Sequence, residues 1–230
     1  MGMQYLNEKG SSESKDAFSY LRDVRDFSEK SIKEFRLGYM PSFVQNINKR
    51  KHEFAGRIII PIFDHYDHLV AISSRDWRKE AKQKFWHEAY SKSLFLFGLN
   101  IAKKNIINYS KSIIVEGEFD VISLHSKGIS ISVGALGSSL GLYQLSLLMR
   151  YASDIYLLFD GDESGQKAIK RTLKIVEQNA LNGYDLNIIP TFLPDQKDPD
   201  EFIREKGQPE IIRILNQAKK QLTQRKFKEL

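Results

Sequence analysis

The sequence predicts an α/β fold, in which a parallel sheet is flanked by helices and preceded by a smaller basic α+β subdomain. Beyond residue 110, short apolar runs alternate regularly with segments of helical periodicity, which is typical of parallel sheets. Before that point, helical segments are followed by two short runs rich in β-branched residues. We therefore expect an N-terminal subdomain at 1–108, a sheet domain at 109–207 and a C-terminal basic helix at 208–230.

The N-terminal subdomain is predicted from four segments and one turn. Residues 16–24 and 28–40 have helical patterns, the second reaching a Gly/Pro stop, and residues 57–63 and 68–75 are predicted strands. The polar turn DHYDH joins the two strands and contains His65 and His68. Their spacing also suits a metal, but a polar turn between strands accounts for them.

The sheet domain is predicted from seven alternating segments and a tail. Its strands are expected at 112–116, 129–134, 154–160 and 185–193, and its helices at 117–128, 139–151 and 163–180. The tail from residue 209 has an amphipathic pattern with a basic end, so it can pack on the core or bind DNA or a replication partner.

Carboxylates follow three of these strands. Glu116 ends the first, Asp160 and Asp162 end the third, and the last leads into a segment that contains Asp198 and Asp200. Ligands of parallel sheets bind beyond the carboxyl ends of the strands. Because residues two apart in an extended segment point to the same side, Asp160 and Asp162 can converge on one point. A hard divalent cation such as Mg²⁺ is the natural occupant of that point.

A D-x-D sequence after a strand has a second interpretation. Asp is a preferred helix N-cap, so Asp162 or Ser164 can simply cap the helix that follows. The loop GALGSS, with Gly134 and Gly137, likewise suits either a phosphate at a helix start or a tight strand-to-helix turn.

Composition narrows the classes of protein. The formal net charge of +6 is compatible with a polyanionic partner, although many basic proteins have none. The absence of cysteine excludes disulfides and thiolate zinc sites, so we expect no zinc. No apolar run approaches 18 residues and no signal-peptide layout is found, so we expect no membrane partner and a cytoplasmic location, in the host if the protein is phage-encoded.

Three stretches resemble the TOPRIM module shared by bacterial primases, topoisomerases and some nucleases: VEGEFDVISLHSKGI, SVGALGSSL and LLFDGDESGQKAIKR. Three flanking stretches, FRLGYMP, RIIIPIFDHYDHLVAISSR and LPDQKDPDEFIREKG, resemble one branch, the catalytic core of DnaG-type DNA primases. The resemblance covers about residues 18 to 207 and implies a TOPRIM-type sheet. Glu118 departs from it where an aromatic residue is usual, and Phe85 replaces a tyrosine.

The resemblance implies synthesis of short RNA primers from ribonucleoside triphosphates on single-stranded DNA, with Mg²⁺, for which Mn²⁺ can substitute. It makes Glu116, Asp160 and Asp162 the catalytic and metal-binding residues, with Asp120, Asp198 and Asp200 as further metal ligands. Sequence leaves open whether Glu116 ligates metal or acts as a general base. Positions expected to bind template or nucleotide are Arg25, Arg75, Lys84, Phe85, Trp86, Lys167 and Arg171.

The segment 75–86 supports this expectation because it interleaves basic and aromatic side chains, the usual means of holding a single strand. A solvated basic face with one buried tryptophan is the alternative.

DnaG-type primases usually carry a zinc-binding and a helicase-binding domain, for which this chain has no room. We therefore expect a stand-alone core, an excised core, or a compact relative from a phage or mobile element. Expected partners are a replicative helicase or a zinc-binding template-recognition protein supplied in trans. Two other functions remain open, a TOPRIM metal-dependent nuclease and a non-catalytic single-stranded-DNA-binding replication module.

Overall fold

The computed structural model describes residues 11–42, 53–78, 80–137, 140–179 and 186–228. Lys79 of the basic segment and Ser138 and Ser139 of the GALGSS loop lie outside these ranges. The chain divides into two compact units. The first contains residues 1–63 and 67–90, and the second contains 64–66 and 91–230. The predicted boundaries at residues 108 and 207 stay a prediction.

The first unit is an antiparallel sheet with two short helices. The helices are α1 (Ser12–Ser19), which continues as a π-helical turn over Tyr20–Val24, and α2 (Glu29–Glu34). The strands, in spatial order, are β1 (Gly38–Met40), β2 (Arg57–Phe63), β3 (Leu69–Arg75) and β4 (Phe85–His87). Serines begin both helices, because Ser11 and Ser28 accept hydrogen bonds from the exposed backbone N–H groups of the first turn.

One predicted helix is too long. The pattern of residues 28–40 predicts a single helix, but α2 ends at Glu34 and the GYM segment forms strand β1 instead. Arg36 has a positive φ of 53°, which breaks the helix, and Gly38 then pairs with Ile59 in the antiparallel ladder. Tyr39 is buried in this strand. Pairing of β1 with β2 therefore overrides the local helical pattern.

The second unit is a parallel sheet flanked by helices, which confirms the predicted fold class. Its strands are β5 (Lys111–Val115), β6 (Ser132–Gly134), β7 (Asp154–Leu157) and β8 (Asn187–Pro190), in the spatial order β6-β5-β7-β8. Its helices are α3 (Leu99–Tyr109), α4 (Glu118–Ser126), α5 (Leu142–Met149), α6 (Glu163–Gln178), α7 (Pro199–Lys206) and α8 (Gln208–Lys228). Sequence patterns missed α3 and α7, and they overextended β6, because residues 129–131 precede the strand and 130–131 form a turn.

Apolar side chains from the strands and helices build the core of the second unit. Ile114, Leu157 and Phe159 are fully buried with residues from α3, α5 and α6. The tail helix α8 packs through Ile211, Ile214 and Leu215, which are buried. Within the described ranges, no helix combines the length and the apolar character needed to cross a membrane.

Candidate functional site

Six carboxylates gather at the carboxyl edge of the parallel sheet in the second unit. Because β5 and β7 are hydrogen-bonded neighbours, Glu116 after β5 and Asp160 after β7 emerge side by side. We call the group the acidic cluster, and its members are Glu116, Asp120, Asp160, Asp162, Asp198 and Asp200. Burial, and then the charges of Glu116, Asp198 and Asp162, raises the pKa of Asp160. Burial, and then the charges of Asp160, Asp198 and Asp200, raises the pKa of Asp120. The part of these shifts that comes from neighbouring charges indicates that Asp120 and Asp160 each have other carboxylates nearby.

Glu116 and Asp160 each have one buried carboxylate oxygen without a hydrogen-bond partner. Burial, then the nearby carboxylates, raises the pKa of Asp160 to about 7. Burial also raises the pKa of Glu116, and the Asp162 charge adds to this, although a hydrogen bond from the Asp160 backbone opposes it. Glu116 Oε1 and Asp160 Oδ1 are buried and accept no hydrogen bond. Buried carboxylate oxygens ordinarily have a partner, so this pair fits a cation.

Asp162 and Asp198 are helix N-caps. Asp162 Oδ1 accepts a hydrogen bond from the N–H of Gly165 at 2.9 Å and begins α6. Asp198 Oδ1 accepts one from the N–H of Glu201 at 2.6 Å and begins α7. The capping interpretation of the D-x-D sequence is therefore confirmed for Asp162. A cap uses one carboxylate oxygen, so it does not exclude a second contact through the other.

Asp120 and Asp200 are engaged within the protein. Asp120 Oδ2 accepts a hydrogen bond from the N–H of Gly117 at 3.0 Å, and its Oδ1 accepts one from the N–H of Asp200 at 3.2 Å. The Asp200 side chain, which is 2% exposed, accepts two hydrogen bonds from Arg204. Sequence reasoning missed Arg204, although its spacing of four residues from Asp200 on a helix is a recognisable ion-pair signal.

The cluster is not a preformed metal centre. Over the ranges that the structure describes, no three His, Asp or Glu side chains stand close enough to ligate one ion together. Capping and backbone hydrogen bonds engage oxygens of Asp120, Asp162 and Asp198. Which of the six predicted ligands contact a metal stays a prediction.

Two glycines allow the DGDESG loop to approach its surroundings closely. A Cβ at Gly165 would lie 2.0 Å from the carbonyl oxygen of Asp160, so the first turn of α6 packs directly on the Asp160 backbone. A Cβ at Gly161 would lie 2.8 Å from Cα of Gln196. Glycine at these positions therefore sets where Asp160 stands.

In the first unit, the predicted binding residues divide between the two faces of the sheet. Arg75 is 9% exposed, donates from Nε to the Tyr20 hydroxyl at 3.1 Å and lies 4.6 Å from the centre of the Phe85 ring. Trp86 packs edge-on against Phe54 with ring centroids 4.7 Å apart. Because successive strand residues point to opposite faces, Phe85 and Trp86 cannot share one stacking surface.

The remaining predicted binding residues are more accessible. Lys84 is exposed just before β4, and Arg25 is partly exposed after the π-helical turn. In the second unit, Lys167 and Arg171 are exposed one turn apart on α6, and Lys167 pairs with Glu163 at 2.6 Å.

The comparisons with known proteins agree with this architecture. Residues 113–203 match the Toprim-like family. The DNA primase of Clostridium acetobutylicum is 33% identical over 222 residues, which cover 84% of this chain and 36% of the relative. A crystal structure of Aquifex aeolicus primase, with zinc-binding and RNA polymerase domains, has 30% identity and a TM-score of 0.74, and the match covers 87% of this chain and 55% of that one.

A structure of the DnaG primase catalytic domain bound to single-stranded DNA has a TM-score of 0.80 over 93% of this chain and 75% of that one. Its identity is 22%, so it supports the fold alone. This chain spans less than half of the length of the curated relatives that it matches. Use of a divalent metal is what the Toprim-like family and the primase relatives suggest. Together, the match over 113–203, the primase relatives and the shared fold confirm the resemblance to the catalytic core of DnaG-type DNA primases.

Proposed function

We propose that this chain is a primase core that joins ribonucleoside triphosphates into short RNA primers on a single-stranded DNA template by metal-assisted nucleotidyl transfer. One observation carries the proposal. Glu116 and Asp160 present buried oxygens without hydrogen-bond partners at the carboxyl edge of a parallel sheet, in a chain that resembles primases. Carboxylate pairs of this kind suit Mg²⁺, which keeps further coordination positions for water and substrate phosphate.

In this proposal, Glu116 and Asp160 hold the cation, and Asp162 and Asp198 contribute the oxygens that their caps do not use. A bound Mg²⁺, or Mn²⁺ in its place, would neutralise charge on the triphosphate and favour ionisation of the attacking 3′ hydroxyl. Asp120 and Asp200 also belong to the predicted ligand set, but their oxygens are occupied by protein groups. A carboxylate with a pKa of about 7 loses its proton readily when a cation binds near neutral pH.

Template and nucleotide are proposed to contact the basic residues of each unit. Lys84, Lys167 and Arg171 are exposed cations that suit phosphate contacts. Phe85 is partly exposed and suits stacking of a base. Arg75 and Trp86 support these residues mainly by packing, and Arg25 contributes charge. A replicative helicase or a zinc-binding protein in trans remains a proposed partner, and the cytoplasmic location expected from the sequence stays a prediction.

A template-directed assay tests the proposal. The protein is incubated with single-stranded DNA, the four ribonucleoside triphosphates and Mg²⁺, and labelled RNA products and DNA fragments are resolved on one gel. We expect short RNA products that depend on metal and are lost in Asp160→Ala and in Asp162→Ala. The control is Glu177→Gln, which should retain synthesis. Glu177 is an exposed carboxylate near the end of the helix that Asp162 begins.

Other outcomes would favour the competing functions. Metal-dependent cleavage of the DNA without RNA synthesis would identify a nuclease. DNA binding that is unchanged in both aspartate variants, without synthesis or cleavage, would identify a non-catalytic binding module.

A further inference from the structure

Arg204 contacts the acidic cluster directly, through the side chain of Asp200. Its Nε donates to Asp200 Oδ1 at 3.2 Å and its Nη2 donates to Asp200 Oδ2 at 3.1 Å. The Asp200 side chain is nearly inaccessible, and the Arg204 side chain is about a quarter exposed. A two-point pair of this type fixes the plane of the carboxylate as well as its position.

The same aspartate is held through its backbone. The N–H of Asp200 donates to Asp120 Oδ1 at 3.2 Å, and the other oxygen of Asp120 accepts from the N–H of Gly117 at 3.0 Å. Gly117 directly follows Glu116 in the chain. A continuous series of contacts therefore runs from Arg204 to the end of β5.

This series connects two segments that are distant in sequence. At one end is the first turn of α7, which begins at the N-cap Asp198, and at the other is the strand end that carries Glu116. The helices that follow these points, α4 and α7, also pack against each other. The series of contacts thus ties the segment of Asp198 to the segment of Glu116 through Asp200 and Asp120. The oxygens of these two aspartates already accept hydrogen bonds from protein groups.

We propose that Arg204 is a positioning residue of the acidic cluster, which acts through Asp200 and Asp120 to fix Asp198 near Asp160. Asp200 and Asp120 then serve the site by orientation and do not ligate the cation. The inference rests on the proposed function, because it assumes that Glu116 and Asp160 hold a divalent ion.

Three roles for Arg204 predict different effects on cation binding. If Arg204 were only a counter-charge, its removal would make the cluster more negative and tighten cation binding. If the pair served only the fold, cation affinity of the folded variant would not change. If Arg204 positions the ligands, its removal weakens binding, and loss of such supporting contacts typically costs about 10-fold or more in metal affinity.

The experiment measures Mn²⁺ binding to the full chain by electron paramagnetic resonance, which does not depend on catalysis. We expect about a 10-fold loss of affinity in Arg204→Gln. Arg204→Lys should lose less, because an ammonium group can contact Asp200 but cannot reproduce the planar two-point pair. The control is Arg213→Gln, which removes an exposed arginine that pairs with Glu210 on α8 in the same way, and its affinity should equal that of the wild type.

A double variant tests the route of the effect. Asp120→Asn keeps one acceptor oxygen where the carboxylate uses two, so it interrupts the same series of contacts. If Arg204 acts through Asp120, the double variant should lose less Mn²⁺ affinity than the product of the fold-losses measured in Asp120→Asn and in Arg204→Gln.

The outcomes that overturn the inference are distinct from those that overturn the proposed function. Wild-type protein that binds no Mn²⁺ would overturn the proposed function and the inference with it. Wild-type binding with equal or tighter binding in folded Arg204→Gln, or losses that multiply fully in the double variant, would overturn the inference alone. Circular dichroism shows whether each variant is folded. If Arg204→Gln is unfolded, unchanged Mn²⁺ affinity in Arg204→Lys would overturn the inference in its place.

Discussion

Replacing Asp160 by asparagine should change how the stability of the metal-free protein depends on pH. The pKa of Asp160 is about 7 in the folded protein, against an ordinary value of 3.8. Between these values the folded state keeps a proton that the unfolded state releases, so raising the pH costs stability, and the loss is complete above about pH 7. The full difference corresponds to about 4 kcal/mol, and we expect roughly half of it, ~2 kcal/mol, because the side chain is partly exposed to solvent.

Urea unfolding in EDTA, at several pH values from 4 to 8, measures this effect. The free energy of unfolding of the wild type should fall by ~2 kcal/mol more over this range than that of Asp160→Asn, which has no carboxyl group to titrate. In a parallel series without EDTA, Mn²⁺ should stabilise the wild type more at pH 8 than at pH 5, because binding displaces the proton. Parallel pH profiles for the two proteins would refute the burial and charge crowding that we assign to Asp160.

Three further predictions concern the loop and the first unit. Gly165→Ala should lower the free energy of unfolding by about 1–3 kcal/mol in chemical denaturation, since the new Cβ would collide with the Asp160 carbonyl. Gly137→Ala should be nearly neutral, because its Cβ would meet no described atom within 4 Å. Equal stabilities of the two variants would contradict the packing of Gly165 on the Asp160 backbone. Lys84→Gln should reduce the slope of log affinity for single-stranded DNA against log salt by about 0.7, while Lys30→Gln on α2 should leave it unchanged. Arg75→Gln should destabilise the protein by about 2 kcal/mol, because it removes a buried hydrogen bond and a cation–π contact; an unchanged midpoint with weaker DNA binding would instead make Arg75 a direct contact.

The sequence predicted the acidic edge but not the bonding of its members. Glu116, Asp160 and Asp198 are recognisable because carboxylates that follow parallel strands must emerge at one edge. The caps made by Asp162 and Asp198 were also foreseeable as a class, since Asp before a helix is a common N-cap. The link from Asp120 to the backbone of Asp200 was not foreseeable, because it joins residues 80 positions apart through a single hydrogen bond.

The first unit shows where local pattern fails. Residues 28–40 have a continuous helical pattern, yet the last three residues form β1 because β2 offers them a ladder of backbone partners. The segment 75–86 has an aromatic and basic composition that indicates one surface, yet strand geometry sends Phe85 and Trp86 to opposite faces. Composition therefore indicated a segment as a candidate surface without giving the direction of its side chains.

The sequence by itself determined the alternation of strands and helices, the parallel sheet and the edge at which its carboxylates gather, because these follow from periodicity and from the direction of the chain. Only the tertiary structure decided which of those carboxylates use an oxygen in a cap, which pairs with Arg204, and which, at Glu116 and Asp160, keep a buried oxygen without a partner. The reason is physical. Burial and hydrogen-bond partners depend on groups brought together from distant parts of the chain, and no local pattern specifies them.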